Sequence, residues 1–179
     1  MFQEVDPILG PEMRSTGEVL GLARDPGAAF FKAEEAASSK LPTEGAVLIS
    51  VNNSDKPEVA EIAKSFYDDG FKIYATGKTY ELISEAGIPA EHALKDYEGR
   101  PNVSDLIING KVDLVINTPA GKQSVHSDSY VRKNAIKAKV PYITTIAAAR
   151  AAAEGIHYVK AHDNGEVKSL QSWHGEIEE

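Results

Sequence analysis

The stretch Thr76-Gly77-Lys78-Thr79 holds the residue types with the most obvious chemical use in this chain. It lies between a strand-like run, 72–76, and a helical pattern from about 79. Its backbone N–H groups, two hydroxyls and the helix dipole therefore converge on one anion-sized space. Such a loop is built to cradle phosphate. Gly77-Lys78-Thr79 also ends as a nucleoside-triphosphate loop ends, but that motif needs another glycine five residues before Gly77, and Lys72 stands there. The triphosphatase reading is therefore rejected. Lys56 follows the first predicted strand and Lys95 the third, which puts two ammonium groups at the edge of the sheet that carries the threonine loop, enough to neutralise a phosphate dianion. Asn117 and Thr118, ending the fourth strand, offer amide and hydroxyl contacts to a sugar or base, and Ser50 lies close by. Taken singly, each lysine is equally well explained as a solvated charge and Asn117 as a loop cap. Their convergence is what points to a binding site.

The elements that must bring these residues together can be read from periodicity. Short apolar runs at 46–51, 72–76, 113–117 and 142–145, with a brief extended piece at 92–94, alternate with helical patterns at 57–69, 79–86, 102–109, 128–139 and 147–154. Val59, Ile62, Ala63 and Phe66 share one face of the first of these helices, with Asp55 placed to cap it and Gly70 to stop it. Five strands alternating with helices predict an α/β, three-layer fold: a mainly parallel five-stranded sheet with helices on both faces. Ligands of such sheets bind at the carboxyl ends of the strands, near a topological switch point. Four loops meet that condition: 51–56, 76–79, 95–100 and 117–124.

Ahead of this pattern, residues 1–24 read as an irregular lead-in, followed by a helix that Asp25 caps and Pro26 begins. The expected division is residues 1–44 as a joining segment with one helix and residues 45–179 as the α/β unit. After 157 the chain reads as a hairpin-like excursion, with a turn at Asn164-Gly165 and a surface helix or tail in which Trp173 is expected to be a core anchor.

Composition narrows the chemistry further. With no cysteine, disulfide frameworks, thiolate nucleophiles and cysteine zinc sites are excluded. The net charge of -8 argues against broad nucleic-acid binding, which needs a basic surface to displace counterions. His92, His126, His157, His162 and His174 are scattered without paired spacing, so no metal site is expected. No apolar run approaches the roughly 18 residues of a spanning helix, and the expectation is a cytoplasmic protein with no membrane partner.

The string LGPEMRSTGEV at 9–19 resembles the segment that joins the second synthetase unit to the regulatory domain in carbamoyl-phosphate synthetase large subunits. ISVNNSDK at 49–56, FKIYATGKT at 71–79, YEGRP at 97–101 and VINTPAG at 115–121 resemble that family's regulatory domain in the same order and at similar spacing. The resemblance implies a fold like methylglyoxal synthase and an allosteric role, with UMP or IMP as effector and an activating ornithine site in enzymes of the well-known bacterial type. It implies effector phosphate contacts at Lys56, Thr76, Gly77, Lys78, Thr79 and Lys95, and sugar or base contacts at Ser50, Asn117 and Thr118. Tyr142 and Thr144 correspond to positions of the ornithine-type site. Two departures bear on effector choice: Lys78 stands where the family commonly has glycine, and Pro119 replaces a hydroxyl residue of some members.

The resemblance further implies no catalysis and no cofactor in this segment, while the full synthetase would use ATP, Mg and K for carbamoyl phosphate synthesis in the pyrimidine and arginine routes. Implied partners are the rest of the large subunit, a glutaminase small subunit and the nucleotide monophosphate, with self-association into a homo-oligomer as a further expectation. The alternative is a free-standing methylglyoxal synthase-type phosphate lyase, which needs a general-base aspartate in the loop after the fourth strand. Residues 118–127 contain no carboxylate. An IMP cyclohydrolase domain begins similarly but is disfavoured by the EGRP run at 98–101, and a ligand-free interaction module leaves the lysines unexplained.

Overall fold

The computed structural model describes residues 19–37, 39–119, 125–162 and 167–177. The lead-in before Val19, the 120–124 part of the fourth loop and the Asn164-Gly165 turn lie outside the described residues. Five parallel strands form one sheet in the order β3-β2-β1-β4-β5. They are β1 (Ala46–Ser50), β2 (Lys72–Thr76), β3 (Glu91–Ala93), β4 (Leu114–Asn117) and β5 (Tyr142–Ile143). The three inner strands are apolar almost throughout because both faces are covered, and alternate residues serve opposite cores. Val47, Ile49, Ile73, Leu114 and Ile116 face one layer, with α1 (Pro26–Ala36), α2 (Lys56–Asp68), α3 (Gly77–Glu85) and α6 (Ile146–His162). Ala46, Leu48, Tyr74 and Val115 face the other, where α4 (Val103–Ile108) and α5 (Val125–Ala138) supply Val103, Ile107, Val131 and Ala135. The α/β, three-layer architecture expected from periodicity is the one observed, and the sheet is wholly parallel.

Two departures from the sequence expectation have clear physical causes. The alanine-rich helix does not stop at 154; α6 continues through Gly155 to His162. Gly155 is a crossing point, not a terminator. A Cβ built on it would lie 2.3 Å from the Gly27 carbonyl oxygen, and one on Gly27 would lie 2.6 Å from the Glu154 Cβ, so α1 and α6 touch backbone to backbone. Residues 157–162 therefore belong to a helix and not to a hairpin. Trp173, on the short helix α7 (Leu170–His174), is half-buried and no core anchor; it lies under the Lys168 and Lys32 ammonium groups, 5.0 and 6.0 Å from its ring. Arg24 and Lys168 both pair with Glu176, which ties the lead-in to the chain's closing segment.

Among the described residues, no helix is long and apolar enough to cross a membrane.

Candidate functional site

The strand order reverses direction between β1 and β4, so a crevice opens where their carboxyl ends part. Ser50 and Asn117 are register partners at that point. Both lie on the α4/α5 side of the sheet by strand parity, as do Thr76 and Tyr142. A polar row crosses four strands there: Thr76 Oγ1 donates to Ser50 Oγ at 2.8 Å, and Asn117 Nδ2 donates to the Tyr142 hydroxyl at 2.7 Å. Burial of polar groups is costly unless they are bonded, so a polar row in this position signals a purpose other than packing. Among the described residues six polar side chains are buried, and four of them are Thr76, Thr79, Asn117 and Thr118.

Two of the predicted hydroxyls serve the scaffold. Thr79 Oγ1 accepts from the Val51 N–H at 3.3 Å, and Thr118 Oγ1 accepts from the Asn52 N–H at 2.9 Å. They pin the β1–α2 loop from both sides. Within that loop Asn52 Oδ1 accepts from the Ser54 N–H at 2.8 Å and the Asp55 N–H at 3.2 Å, while Asn52 Nδ2 donates to Asp55 Oδ2 at 2.8 Å and to the Pro119 carbonyl at 3.3 Å. Asp55 is thereby drawn away from α2, and its side chain does not cap the helix as the sequence suggested. Asn52 is the residue that sequence reasoning missed, although the run Asn52-Asn53-Ser54-Asp55 is a recognisable side-chain turn signal.

At the threonine loop the helix begins two residues earlier than expected, at Gly77, whose φ of 42° suits glycine. Thr76 occupies the N-cap position with its hydroxyl turned to Ser50, so no side chain caps α3. A Cβ added at Gly77 would meet nothing within 4 Å, and Lys78 is exposed beside it. The first-turn N–H groups of α3 and the positive end of its dipole therefore face the open edge of the sheet.

The lysines are less closely drawn in. The Lys56 ammonium donates to Asn53 Oδ1 in the first turn of α2. Lys95 starts a turn closed by its own backbone, with Lys95 N–H donating to Glu98 Oε2 at 2.8 Å and Glu98 N–H to the Lys95 carbonyl at 2.9 Å, and its ammonium lies 6.0 Å from the Tyr97 ring. Neither ammonium is bonded to the threonine loop. Next to Lys95, Asp96 keeps both carboxylate oxygens away from solvent with no hydrogen-bond partner, a second feature the sequence did not disclose. Thr144 is exposed just past β5. Among the described residues no cluster of three or more His, Asp or Glu is placed to hold a metal ion.

An uncapped helix start, a polar row and a glycine with open space beside it, all at the switch point of a doubly covered parallel sheet, make up an anion-accepting edge. Residues 58–144 match the family described as "MGS-like domain". The chain is 50% identical over 159 residues to the "Carbamoyl phosphate synthase large chain, C-terminal section" of Aquifex aeolicus (strain VF5), covering 89% of this chain and 30% of that protein. It is 48% identical over 173 residues to the "Carbamoyl phosphate synthase large chain" of Gemmatimonas aurantiaca, covering 97% of this chain and 16% of that one. The chain of the same description in Methanosarcina barkeri is 42% identical over 174 residues, 97% of this chain and 44% of its own length. Residues 58–144 carry an MGS-like domain, and nearly the whole chain is similar to part of carbamoyl phosphate synthase large chains, including the carboxy-terminal section of one. The chain spans less than half the length of each of these relatives.

Proposed function

We propose that this chain is the effector-binding regulatory domain of a carbamoyl phosphate synthase large chain, and that its ligand is a nucleoside monophosphate such as UMP or IMP. The observation that carries the reading is the start of α3, where Thr76 gives its hydroxyl to Ser50 and leaves the first-turn N–H groups without a side-chain cap. Phosphate sits at Thr76, Gly77, Lys78 and Thr79, through the backbone of this turn, with Lys56 and Lys95 swinging in to balance the charge. Ser50, Asn117 and Thr118 line the crevice for the sugar or base. Tyr142 and Thr144 stand at the β5 end, where an ornithine-type amino acid would be held together with groups outside this chain.

Residues 45–179 form the regulatory unit and 1–44 the joining segment, whose α1 is locked onto α6 at Gly27 and Gly155. In this reading the chain performs no catalysis. The synthetase units that would precede it supply the ATP, Mg and K chemistry, and a glutaminase subunit supplies ammonia. Effector binding shifts the synthetase only to the extent that the effector prefers one of two conformations. A methylglyoxal synthase-type lyase is disfavoured because 118–127 offers no carboxylate to take a proton.

Calorimetric titration of the chain with UMP, IMP and ornithine, with Lys56→Ala as control, tests the proposal. Saturable binding of one nucleotide that the substitution weakens would support it. A heat of dilution alone for both nucleotides, under conditions where the chain is folded, would overturn it.

A further inference from the structure

We infer that the closing segment, residues 167–177, is clasped to the joining segment and not to the sheet, and that the two together form an apolar surface on which the rest of a synthase large chain seats. The inference rests on the reading of this chain as part of such a large chain and goes beyond its effector site. Neither core cluster takes a residue from 19–24 or 167–177, and no residue of α7 is fully buried. What holds the closing segment runs to the joining segment. Glu176 accepts from Arg24 at 2.8 Å and from Lys168 at 2.6 Å, and the Lys32 ammonium lies 3.2 Å from the Leu22 carbonyl oxygen and 6.0 Å from the Trp173 ring. The lead-in is itself pressed onto α1, since a Cβ on Gly21 would lie 2.0 Å from the Ala29 carbonyl oxygen, and α1 is locked to α6 where Gly27 meets Gly155. The clasp is therefore mounted on a tightly packed helix pair.

Polar contacts fix this clasp, and its apolar side chains stay outside. Of the eleven exposed large apolar side chains among the described residues, six stand on two short stretches of it: Val19, Leu20, Leu22, Val167, Leu170 and Ile177. Leu20 is 76% exposed and Val167 96%. Single exposed apolar residues are ordinary, but a concentration of them on segments that ion pairs draw together marks a surface made to be covered. Its occupant follows from what adjoins it. The matched region is 16% of the Gemmatimonas aurantiaca relative and 30% of the Aquifex aeolicus one, so most of each lies outside the match. Residues 19–22 stand in the joining segment, and a polypeptide continued from it is held beside the patch at an effective concentration that a second copy of this chain in dilute solution does not reach. The closing segment is then a strap that grips the synthetase side of the large chain through side chains the fold itself leaves unused.

The test is hydrogen exchange, without nucleotide, on this chain alone and on a hybrid in which this chain replaces the matched region of the Aquifex aeolicus section. Amides of 167–177 should exchange about tenfold more slowly in the hybrid, while those at the end of α4 beside Ile108, exposed but outside the clasp, should be unchanged. Leu170→Ser with Ile177→Ser should restore fast exchange in the hybrid and leave the melting temperature of the isolated chain where it is, because neither side chain is buried. A second arm needs no hybrid. A dye that fluoresces on apolar surfaces should bind the isolated chain, and Leu20→Ser with Leu170→Ser should cut that signal by about half. Equal exchange of 167–177 in both proteins would overturn the inference, as would a dye signal indifferent to the substitutions. Protection in the isolated chain that grows with its concentration would also overturn it, since a second copy would then be the occupant. A chain that binds neither UMP nor IMP would overturn the effector reading alone, because none of these measurements uses nucleotide.

Discussion

The starts of α3 and α4 lie on the same connected edge of the sheet and are finished in opposite ways. At α4, Asn102 accepts from the Asp105 N–H at 3.0 Å and the Asp105 carboxylate accepts from the Asn102 N–H at 3.0 Å, a complete capping box, with Arg100 bonded to Asp105 from outside. At α3 the residue in the same role, Thr76, turns its hydroxyl to Ser50. The α2 start resembles α3, since Asp55 is held by Asn52. By contrast α1 is capped by Asp25, α6 by Thr145 and α7 by Ser169. A helix start that satisfies itself holds the fold together. Of the described helix starts, the two that do not, α2 and α3, follow the inner strands β1 and β2.

That contrast makes opposite predictions for the two ends of the edge. The largest effect is expected from Lys95→Ala, which removes one of two charges proposed to close on the phosphate at α3 and should weaken nucleotide binding by about 1.5 to 3 kcal/mol. Thermal stability should hardly change, because the Lys95 side chain makes no bond within the described fold beyond its approach to Tyr97. Calorimetry and melting curves on the same samples separate the two quantities. A variant that melts early yet binds normally would make Lys95 a structural residue and remove the asymmetry.

Asn102→Ala should do the reverse. Asn102 is buried, caps α4 and donates to the Gly99 carbonyl at 3.1 Å, so its loss should cost about 1 to 2 kcal/mol of stability, read from denaturant unfolding. Nucleotide affinity should stay within a factor of two or so, since the N–H groups of Asn102, Val103 and Asp105 are already bonded within the protein. A loss of affinity comparable to that of Lys95→Ala would mean that the two helix starts act as one unit.

How much of this was legible in the sequence follows the same division. Strand order apart, the architecture could be read from apolar period and helix caps, because local pattern and burial agree along β1, β2 and β4. The pattern at 102–109 took in Asn102 as a helical residue, although Asn102 and Asp105, three apart, act on each other as a cap. What could not be read was where a side chain goes when it has a choice. Asp55 and Thr76 occupy cap positions and decline them, because Asn52 and Ser50, distant in role though near in space, offer better-placed partners. Gly155 misled for a similar reason: its value lies in the approach of Gly27, from a helix more than a hundred residues earlier. The candidate residues were found by type, and several hydroxyls among them turned out to brace the crevice; Thr79 and Thr118 hold the 51–55 loop.

The smallest expected effect concerns acid. Two hydrogen bonds, first from the Arg100 guanidinium and then from the Asn102 N–H, hold the Asp105 carboxyl at about 2, below its ordinary 3.8. A carboxyl depressed on folding stabilises the protein fully above its unfolded value and loses that contribution as pH falls through its folded value. The α4 contribution should therefore be intact above about pH 4 and drain away toward pH 2. Arg100 is largely exposed, so water and salt screen the charge part of the interaction and the effect is modest. Asp105→Asn should lower stability modestly above pH 4 and flatten its pH dependence below, so that variant and native chain converge toward pH 2, since the amide still accepts from the Asn102 N–H but no longer titrates. If Asp105→Asn and the native chain lose stability in parallel between pH 4 and 2, other carboxylates control acid unfolding. The capping box then acts through geometry alone, and the distinction between the closed start of α4 and the open start of α3 would rest on hydrogen bonds and not on charge.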